Sequence, residues 1–344
     1  MTKLSMRFDL RVPPFAKTSF ANQHRAMLEM VSWADRVGVE TVPLSEHHGD
    51  PAGFTSAPLT LAAAVLACTS RLEVSIQAAL VPLHDPVRLA EQIATIDCLA
   101  PGRLSVVLGA GYRQAEFEMA GIERRDRGPL LEECVAVMRS AWSGEPFQWR
   151  GREILVTPPP ASPGGPELFV GGKTIAGARR AARLRCRFSP AVASLDVIEA
   201  YFDEADRVGF DTADVYGCVS LEEFRELHPP GGPVAPGFVM VSADPESTWK
   251  QIGPYAEYDA LTYAAWQEDG VVSDWAVPDA ETWENLRDSG SYSVVTPQEC
   301  LASAERDGHL MLHPLMGGIE PELAWESLRL FEAEVLPNLE LSVR

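Results

Sequence analysis

Lysine is scarce in this 344-residue chain: Lys3, Lys17, Lys173 and Lys250 are its only lysines. Few side chains are therefore available for Schiff-base chemistry. Positive charge as a whole is outweighed, 29 Lys and Arg against 49 Asp and Glu, for a net charge of −20. Such a surface repels phosphate backbones and anionic lipid heads, which argues against nucleic-acid and membrane-surface partners. The six cysteines, Cys68, Cys98, Cys134, Cys186, Cys218 and Cys300, form no C-x-x-C pair. Zinc ribbons and dithiol redox motifs are thereby disfavoured. No apolar run reaches the roughly 18 residues of a membrane span and no signal-like apolar segment leads the chain, so the expected setting is the cytoplasm with reduced thiols. What is present is an ordinary globular composition, 46% hydrophobic and 23% charged, in a chain long enough to bury a core without staples.

Strand-like and helix-like segments alternate along the chain. Residues 6–12 alternate in the strand period. Met27, Val31 and Ala34 lie on one helical face over 23–37, and Gly38 stops that helix. Strands are expected at 39–44, 72–80, 104–108, 167–170, 186–189, 236–243 and 310–315. Helices are expected between them at 57–70, 128–142, 174–184 and 195–208, another begins behind Asp85-Pro86 with Leu89, Ile93 and Ile96 on one face, and a last one lies near Trp325, Leu328 and Val335. Asp85-Pro86 and Asp244-Pro245 read as N-caps followed by proline, and Thr296-Pro297-Gln298-Glu299 as a capping box. Residues 112–126, 143–166 and 258–290 break the alternation and read as insertions, the second carrying two short strand-like pieces and the third irregular. Repeated βα units predict a parallel sheet with helices outside. A doubly wound sheet would carry glycines at its first βα turn, whereas this chain has Val12-Pro13-Pro14-Phe15-Ala16-Lys17. The expected architecture is α/β, a single (β/α)8 TIM barrel over 1–344 with loop insertions.

In such a barrel the chemistry belongs at the C-terminal ends of the strands. Polar and glycine-rich residues gather there: Ser45-Glu46-His47-His48, His84-Asp85, Gly109-Ala110-Gly111-Tyr112-Arg113, Gly171-Gly172-Lys173-Thr174 and His313 to Gly318. Neighbours on an extended segment point to opposite sides, so at most one of His47 and His48 faces a ligand easily while the other packs or pairs. A histidine there can act as general acid or base, or simply be a satisfied structural residue. Metal ligation by His47, His48 and His84 lacks a supporting carboxylate–histidine cluster at ligand spacing, so no metal is expected. Gly171-Gly172-Lys173-Thr174 opens a helix, where backbone N–H groups, a lysine and a hydroxyl suit a phosphate; a tight turn needing glycine explains it equally well. Glu167 stands where a P-loop requires glycine, which removes that reading. Gly109 and Gly111 lack the third glycine of a dinucleotide fingerprint, since Gln114 stands there, and mark either close backbone approach to a flat ligand or a turn. Trp266 and Trp275 hint at an apolar or aromatic substrate.

These segments, taken in order, resemble the bacterial luciferase-like flavin-dependent monooxygenases. The likeness rests on Ser45-Glu46-His47-His48, Leu83-His84-Asp85-Pro86-Val87-Arg88, Asp97 to Arg103, Gly109 to Arg113, Gly144-Glu145-Pro146-Phe147, Leu168 to Gly172, and Leu312 to Gly318 with Val335-Leu336-Pro337. The resemblance implies a (β/α)8 barrel, a homodimer, and reduced FMN at the C-terminal face reacting with oxygen to oxidise a small organic substrate such as an aldehyde. It further implies a separate flavin reductase as partner. A sister branch uses the deazaflavin coenzyme F-420 and transfers hydride without oxygen, and a barrel that binds flavin without catalysis is a third possibility. By the same resemblance His47 is the base, Gln77-Ala78 falls where the family often has a non-proline cis peptide under the flavin ring, and Gly172, Lys173 and Thr174 fall at the phosphate. Two departures stand out. Ala110 replaces the phosphate arginine, with Arg113 three positions on, and Gly172 and Lys173 replace a carboxylate and a serine.

Overall fold

The computed structural model describes residues 1–191, 194–228, 237–266 and 282–341. The strands are β1 (Lys3–Met6), β2 (Thr41–Leu44), β3 (Glu73–Leu80), β4 (Leu104–Gly109), β5 (Phe147–Trp149), β6 (Arg152–Ile154), β7 (Glu167–Gly172), β8 (Arg187–Pro190), β9 (Phe238–Val241), β10 (Tyr292–Val295) and β11 (His309–Leu312). Nine of these pair in the order β10-β9-β11-β1-β2-β3-β4-β7-β8, and every pairing between them is parallel. This is the α/β barrel plan read from the sequence. β5 and β6 form the separate antiparallel hairpin expected within 143–166. The strands carry the apolar runs that parallel sheets require because both faces are covered: Val42, Leu44, Val74, Ile76, Val106, Leu108, Val170 and Phe188 are all buried.

Several helix starts follow from local chemistry. Asp85 accepts from the Val87 and Arg88 N–H groups, Asp244 from Ser247, and Thr296 with Glu299 completes its capping box. Gly38, at φ 93°, ends the first helix, Phe20–Val37. No helix among the described residues is long and apolar enough to cross a membrane.

Four expectations are corrected. The first strand is Lys3–Met6, not 6–12; beyond it the chain turns through Leu10 at φ 58°. Phe8, Asp9, Leu10 and Arg11 are all buried, so the apolar–polar alternation over 6–12 does not mark a strand with one covered face. The 112–126 segment holds a helix, Gln114–Ala120. The helix beginning at Pro245 runs through Pro254 to Ala265, and a further helix spans Trp283–Ser289, so most of the described residues within 258–290 are helical. β10, at Tyr292–Val295, pairs along β9 in a place where no strand was expected. Trp275 lies outside the described residues.

Candidate active site

Because the nine strands are parallel, their C-terminal ends share one face, and the segments after β1, β2, β3, β4, β7 and β11 meet there. Two carboxylate–histidine groups form where β2, β3 and β4 end. In the first, His47 Nδ1 lies 3.0 Å from Glu116 Oε1. The same oxygen accepts the His48 N–H at 3.0 Å and Arg113 Nη1 at 3.1 Å, and Arg113 also donates to the His48 carbonyl at 2.9 Å. Burial works against ionisation of Glu116, but the hydrogen bond and charge of His47, the His48 N–H and Arg113 prevail and hold its carboxyl below the ordinary range. An ionised carboxylate can only accept, so the proton of neutral His47 sits on Nδ1 and Nε2 presents a lone pair. Burial lowers the pKa of His47; Glu116 opposes this, and Arg113 and Arg11 reinforce it. The ring is therefore neutral, and a proton acceptor, at pH 7.

The second group centres on Glu46. Its Oε1 accepts from His48 Nε2 at 2.9 Å and His84 Nε2 at 2.7 Å, and its Oε2 accepts the Leu80 N–H at 2.7 Å. Burial would raise this carboxyl, but the hydrogen bonds from His48 and His84 lower it to about 2. Through one carboxylate the end of β2 is tied to the end of β3 and to the turn beyond it. His47 and His48 thus turn to different carboxylates, as alternation along an extended segment requires.

Aromatic rings enclose His47. Trp266 lies 4.6 Å away, Phe54 4.9 Å, Tyr112 5.9 Å and Tyr263 6.4 Å, centroid to centroid. Arg113 lies 4.0 Å over the Trp266 ring. Beneath them Arg11, fully buried, pairs with Asp9 and Asp259, while Asp9 also accepts the Gly317 N–H at 2.9 Å. His313, 3.8 Å from Asp9, is driven by burial to a pKa of about 3 and is neutral.

The remaining sequence-predicted positions lie along β3, β4 and β7. The Gln77–Ala78 peptide is cis. Gln77 is exposed although β2 and β4 flank its strand, so the sheet is open above it. A Cβ on Gly109 would stand 2.9 Å from the Ala78 Cβ, and one on Gly171 would stand 2.9 Å from Val107 Cγ1. Packing alone therefore requires glycine at these two positions. Gly111 turns at φ +75° against Phe117. Gly172 ends β7, and Thr174 caps the Ile175–Arg183 helix by accepting the Gly177 N–H at 3.1 Å, which leaves its own O–H able to donate elsewhere. Lys173 Nζ lies 5.5 Å over the Tyr112 ring, so Tyr112 joins this loop to His47. Arg113 directs its hydrogen bonds to the His47 side, to Glu116 and the His48 carbonyl. Sequence reasoning missed Glu116, Arg11 and Tyr263. Glu116 carried one signal, its i, i+3 spacing from Arg113; Tyr263 lies on a helix that Pro254 disguised.

The luciferase-like monooxygenase family model matches residues 6–269. An FMNH2-dependent dimethylsulfone monooxygenase of Pseudomonas fluorescens is 33% identical over 162 residues, 45% of this chain and 44% of that protein. The uncharacterized protein y4vJ of Sinorhizobium fredii is 27% identical over 140 residues, 41% of this chain and 40% of its own. The matched region thus spans less than half the length of either relative. Among solved structures, monooxygenase RslO1 from Streptomyces bottropensis aligns with a TM-score of 0.69 at 21% identity, over 98% of this chain and 99% of that one. The oxygenating constituent of 3,6-diketocamphane monooxygenase from Pseudomonas putida, in complex with FMN, aligns at 0.67 with 18% identity over the full length of both. An F-420-dependent secondary alcohol dehydrogenase in complex with an F-420–acetone adduct aligns at 0.61 with 18% identity, over 94% and 98%. These structures share the fold. With the family match running through every strand end from β1 to β9, the chain belongs to the luciferase-like monooxygenase family.

Proposed function

We propose that the chain is a flavin-dependent monooxygenase acting with reduced FMN and oxygen on a small organic substrate, with His47 as its base. The observation that carries this reading is the buried His47–Glu116 pair, which leaves Nε2 of a neutral imidazole as an acceptor at the C-terminal face of the sheet. The residues nearby suit a flavin. The sheet is open at Gln77-Ala78 for a flat ring, with Gly109 and Gly111 beside it, and Gly171, Gly172, Lys173 and Thr174 offer N–H groups, an ammonium and a hydroxyl to a phosphate at a helix N-terminus. Reduced FMN, when bound, supplies the electrons that activate oxygen. In this reading Glu116 orients His47 and stabilises its protonated form, as a carboxylate does for any histidine base. Arg113 fixes Glu116, and the aromatic rings pack around the imidazole. Reduced flavin would come from a separate reductase, in a cytoplasmic setting. A homodimer is part of the reading: the helix Pro58–Ala67, sequence PLTLAAAVLA, is apolar apart from Thr60, a composition that suits cover by a second copy.

A second reading, an F-420-dependent dehydrogenase on the same scaffold, draws on the glycine-rich loop before Lys173, where luciferases carry a carboxylate and a serine. Anaerobic titration with reduced FMN and with reduced F-420, followed by tryptophan fluorescence, separates the two. Preferential FMN binding and oxygen-dependent turnover are expected. Preference for F-420 would move the chain to hydride transfer, and binding of neither would overturn the cofactor assignment. A His47→Ala variant that binds flavin and turns over substrate as well as wild type would remove His47 from the chemistry.

A further inference from the structure

One hydroxyl at the candidate site has no part in the flavin reading. Tyr263, on the helix Pro245–Ala265, is half-buried, and its phenol oxygen accepts a hydrogen bond from Arg7 Nη2 at 2.7 Å. Arg7 stands just past β1 and continues its alternation. Leu4 and Met6 are buried in the core, while Ser5 and Arg7 are half-buried on the other face. Strand pairing carries that second face from Ser5 to Thr41 and Glu73, and alternation along β3 carries it on to Gln77. Arg7 therefore brings the Tyr263 hydroxyl to the side of the sheet that is open at Gln77.

The phenol shares its surroundings with His47. The two ring centroids lie 6.4 Å apart. Phe54 and Trp266 lie against both rings, at 4.9 and 4.6 Å from His47 and at 6.4 and 5.4 Å from Tyr263. His47 is neutral, and its Nε2 is not sealed from the face. The two polar tips differ in kind. Nε2 of the neutral ring accepts, whereas a phenol whose oxygen is engaged by a guanidinium donates through its O–H. A hydroxyl that already accepts a hydrogen bond is polarised and donates more strongly. The charges nearby are matched: Arg11 with Asp9 and Asp259, Arg113 with Glu116, and Glu46 with His48 and His84. Two polar tips in an aromatic frame, with the charges around them matched, suit a neutral ligand that carries an oxygen acceptor. A tyrosine kept for packing alone would give way to phenylalanine with no loss to such a ligand.

We infer, resting on the flavin-dependent reading above, that Tyr263 is a second catalytic residue: its O–H holds an oxygen of a neutral substrate, such as a carbonyl oxygen, beside His47, with Arg7 as the positioning residue that orients and polarises the phenol. The contact is a hydrogen bond, and the proton stays on Tyr263. It fixes the substrate oxygen in place and stabilises negative charge that develops there. A ligand of the same shape without the oxygen gains nothing from the hydroxyl.

The test uses the full chain, with and without FMN, and acetophenone isotopically labelled at its carbonyl carbon. The carbonyl stretching band in infrared difference spectra reports hydrogen bonding to the oxygen. In wild type the band is expected below its position in a hydrocarbon solvent. Tyr263→Phe, which keeps the ring, should return the band to that position and weaken acetophenone binding roughly fivefold, about the worth of one hydrogen bond. Ethylbenzene should bind both proteins alike. Arg7→Gln, which leaves the phenol in place, should return the band part of the way. His47→Ala should leave the band displaced, because Nε2 of the neutral ring has no proton to donate. No displaced band in wild type, a band unmoved in both Tyr263→Phe and Arg7→Gln, a band that returns in His47→Ala, or an equal loss of ethylbenzene binding in Tyr263→Phe would overturn the inference. Reduced FMN binding, measured in parallel, keeps the two readings apart. FMN binding without a displaced band sinks the role of Tyr263 alone. A displaced band that Tyr263→Phe abolishes, without FMN binding, upholds the donor and removes the cofactor assignment.

Discussion

His47 and His48 are neighbours in the chain and opposites in their chemistry. His47 is 7% exposed, faces Glu116 and has its pKa lowered, burial being the dominant cause. His48 is half-buried, faces Glu46 and has its pKa raised, the Glu46 hydrogen bond being the dominant cause. Each has a carboxylate within hydrogen-bonding distance, so the partner does not account for the difference. Water does: where the ring is sealed, the cost of burying a charge outweighs the attraction of the carboxylate, and where the ring meets solvent the attraction wins. One extended tripeptide, Glu46-His47-His48, thus supplies an uncharged acceptor to one side and a structural clamp to the other.

Breaking the clamp should have the largest effect. Glu46→Leu leaves the Leu80 N–H and two imidazole N–H groups without their acceptor. It should cost roughly 3 kcal/mol in urea unfolding, the low end for a broken buried pair because His48 and His84 can rehydrate. A loss below about 1 kcal/mol would show that water substitutes for the carboxylate. Acid should mimic the mutation. The Glu46 pKa falls from an ordinary 4.5 unfolded to about 2 folded. Its contribution, roughly 3 kcal/mol, is therefore present above pH 4.5 and lost as pH falls toward 2. In Glu46→Leu the acid limb of the stability profile should flatten over that window.

Glu116→Gln removes the charge that opposes burial at His47. The His47 pKa should fall further while the pKa of His48 moves less, read from histidine ring resonances across a pH titration. Stability should drop by about 1–3 kcal/mol. A rise in the His47 pKa would mean that Glu116 is not its ionised partner.

The two histidines should also tilt the pH profile in opposite senses. His47, lowered in the folded state, contributes stability that is complete above its unfolded pKa near 6.5 and declines as pH falls below it. His48, raised in the folded state, contributes stability that is complete below 6.5 and declines as pH rises through its folded pKa. Unfolding free energies of His47→Asn and His48→Asn between pH 5 and pH 8 should differ from wild type with slopes of opposite sign. Slopes of the same sign would contradict the contrast between a sealed and a wet ring.

The smallest effect lies at the far end of the site. Thr174→Ala should cost about 1 kcal/mol through the lost cap on the Ile175–Arg183 helix, and Thr174→Ser should restore it. If the hydroxyl also meets the flavin phosphate, reduced FMN binding will weaken in the first variant and recover in the second.

Much of the scaffold was legible because its signals are local. Asp85-Pro86, Asp244-Pro245 and Thr296 to Glu299 mark helix starts through side chains that reach only two or three residues. The apolar runs of β3, β4 and β7 read as strands because both their faces are covered. What misled was local signal serving a distant purpose. Phe8 to Arg11 are buried without a break beyond the end of the first strand, polar residues included, so the apolar–polar alternation there imitates a strand. Pro254, usually a helix breaker, sits inside the helix Pro245–Ala265 and concealed the aromatic positions that follow it. At Gly109 and Gly171 the packing of the neighbouring strands calls for glycine whether or not a ligand lies beside them.

By itself the sequence determined the parallel βα order, the strand-end position of Glu46-His47-His48 and of Gly172-Lys173-Thr174, and the opposite facing of the two histidines, because periodicity, capping and alternation act over a few residues. Only the tertiary structure decided that Glu116, 69 residues away, holds His47, that Glu46 joins His48 to His84, and that Arg113 turns to this pair. Burial and carboxylate partners separate the two rings, and both come from chain segments that are brought together only when the sheet closes its polar ends into one face.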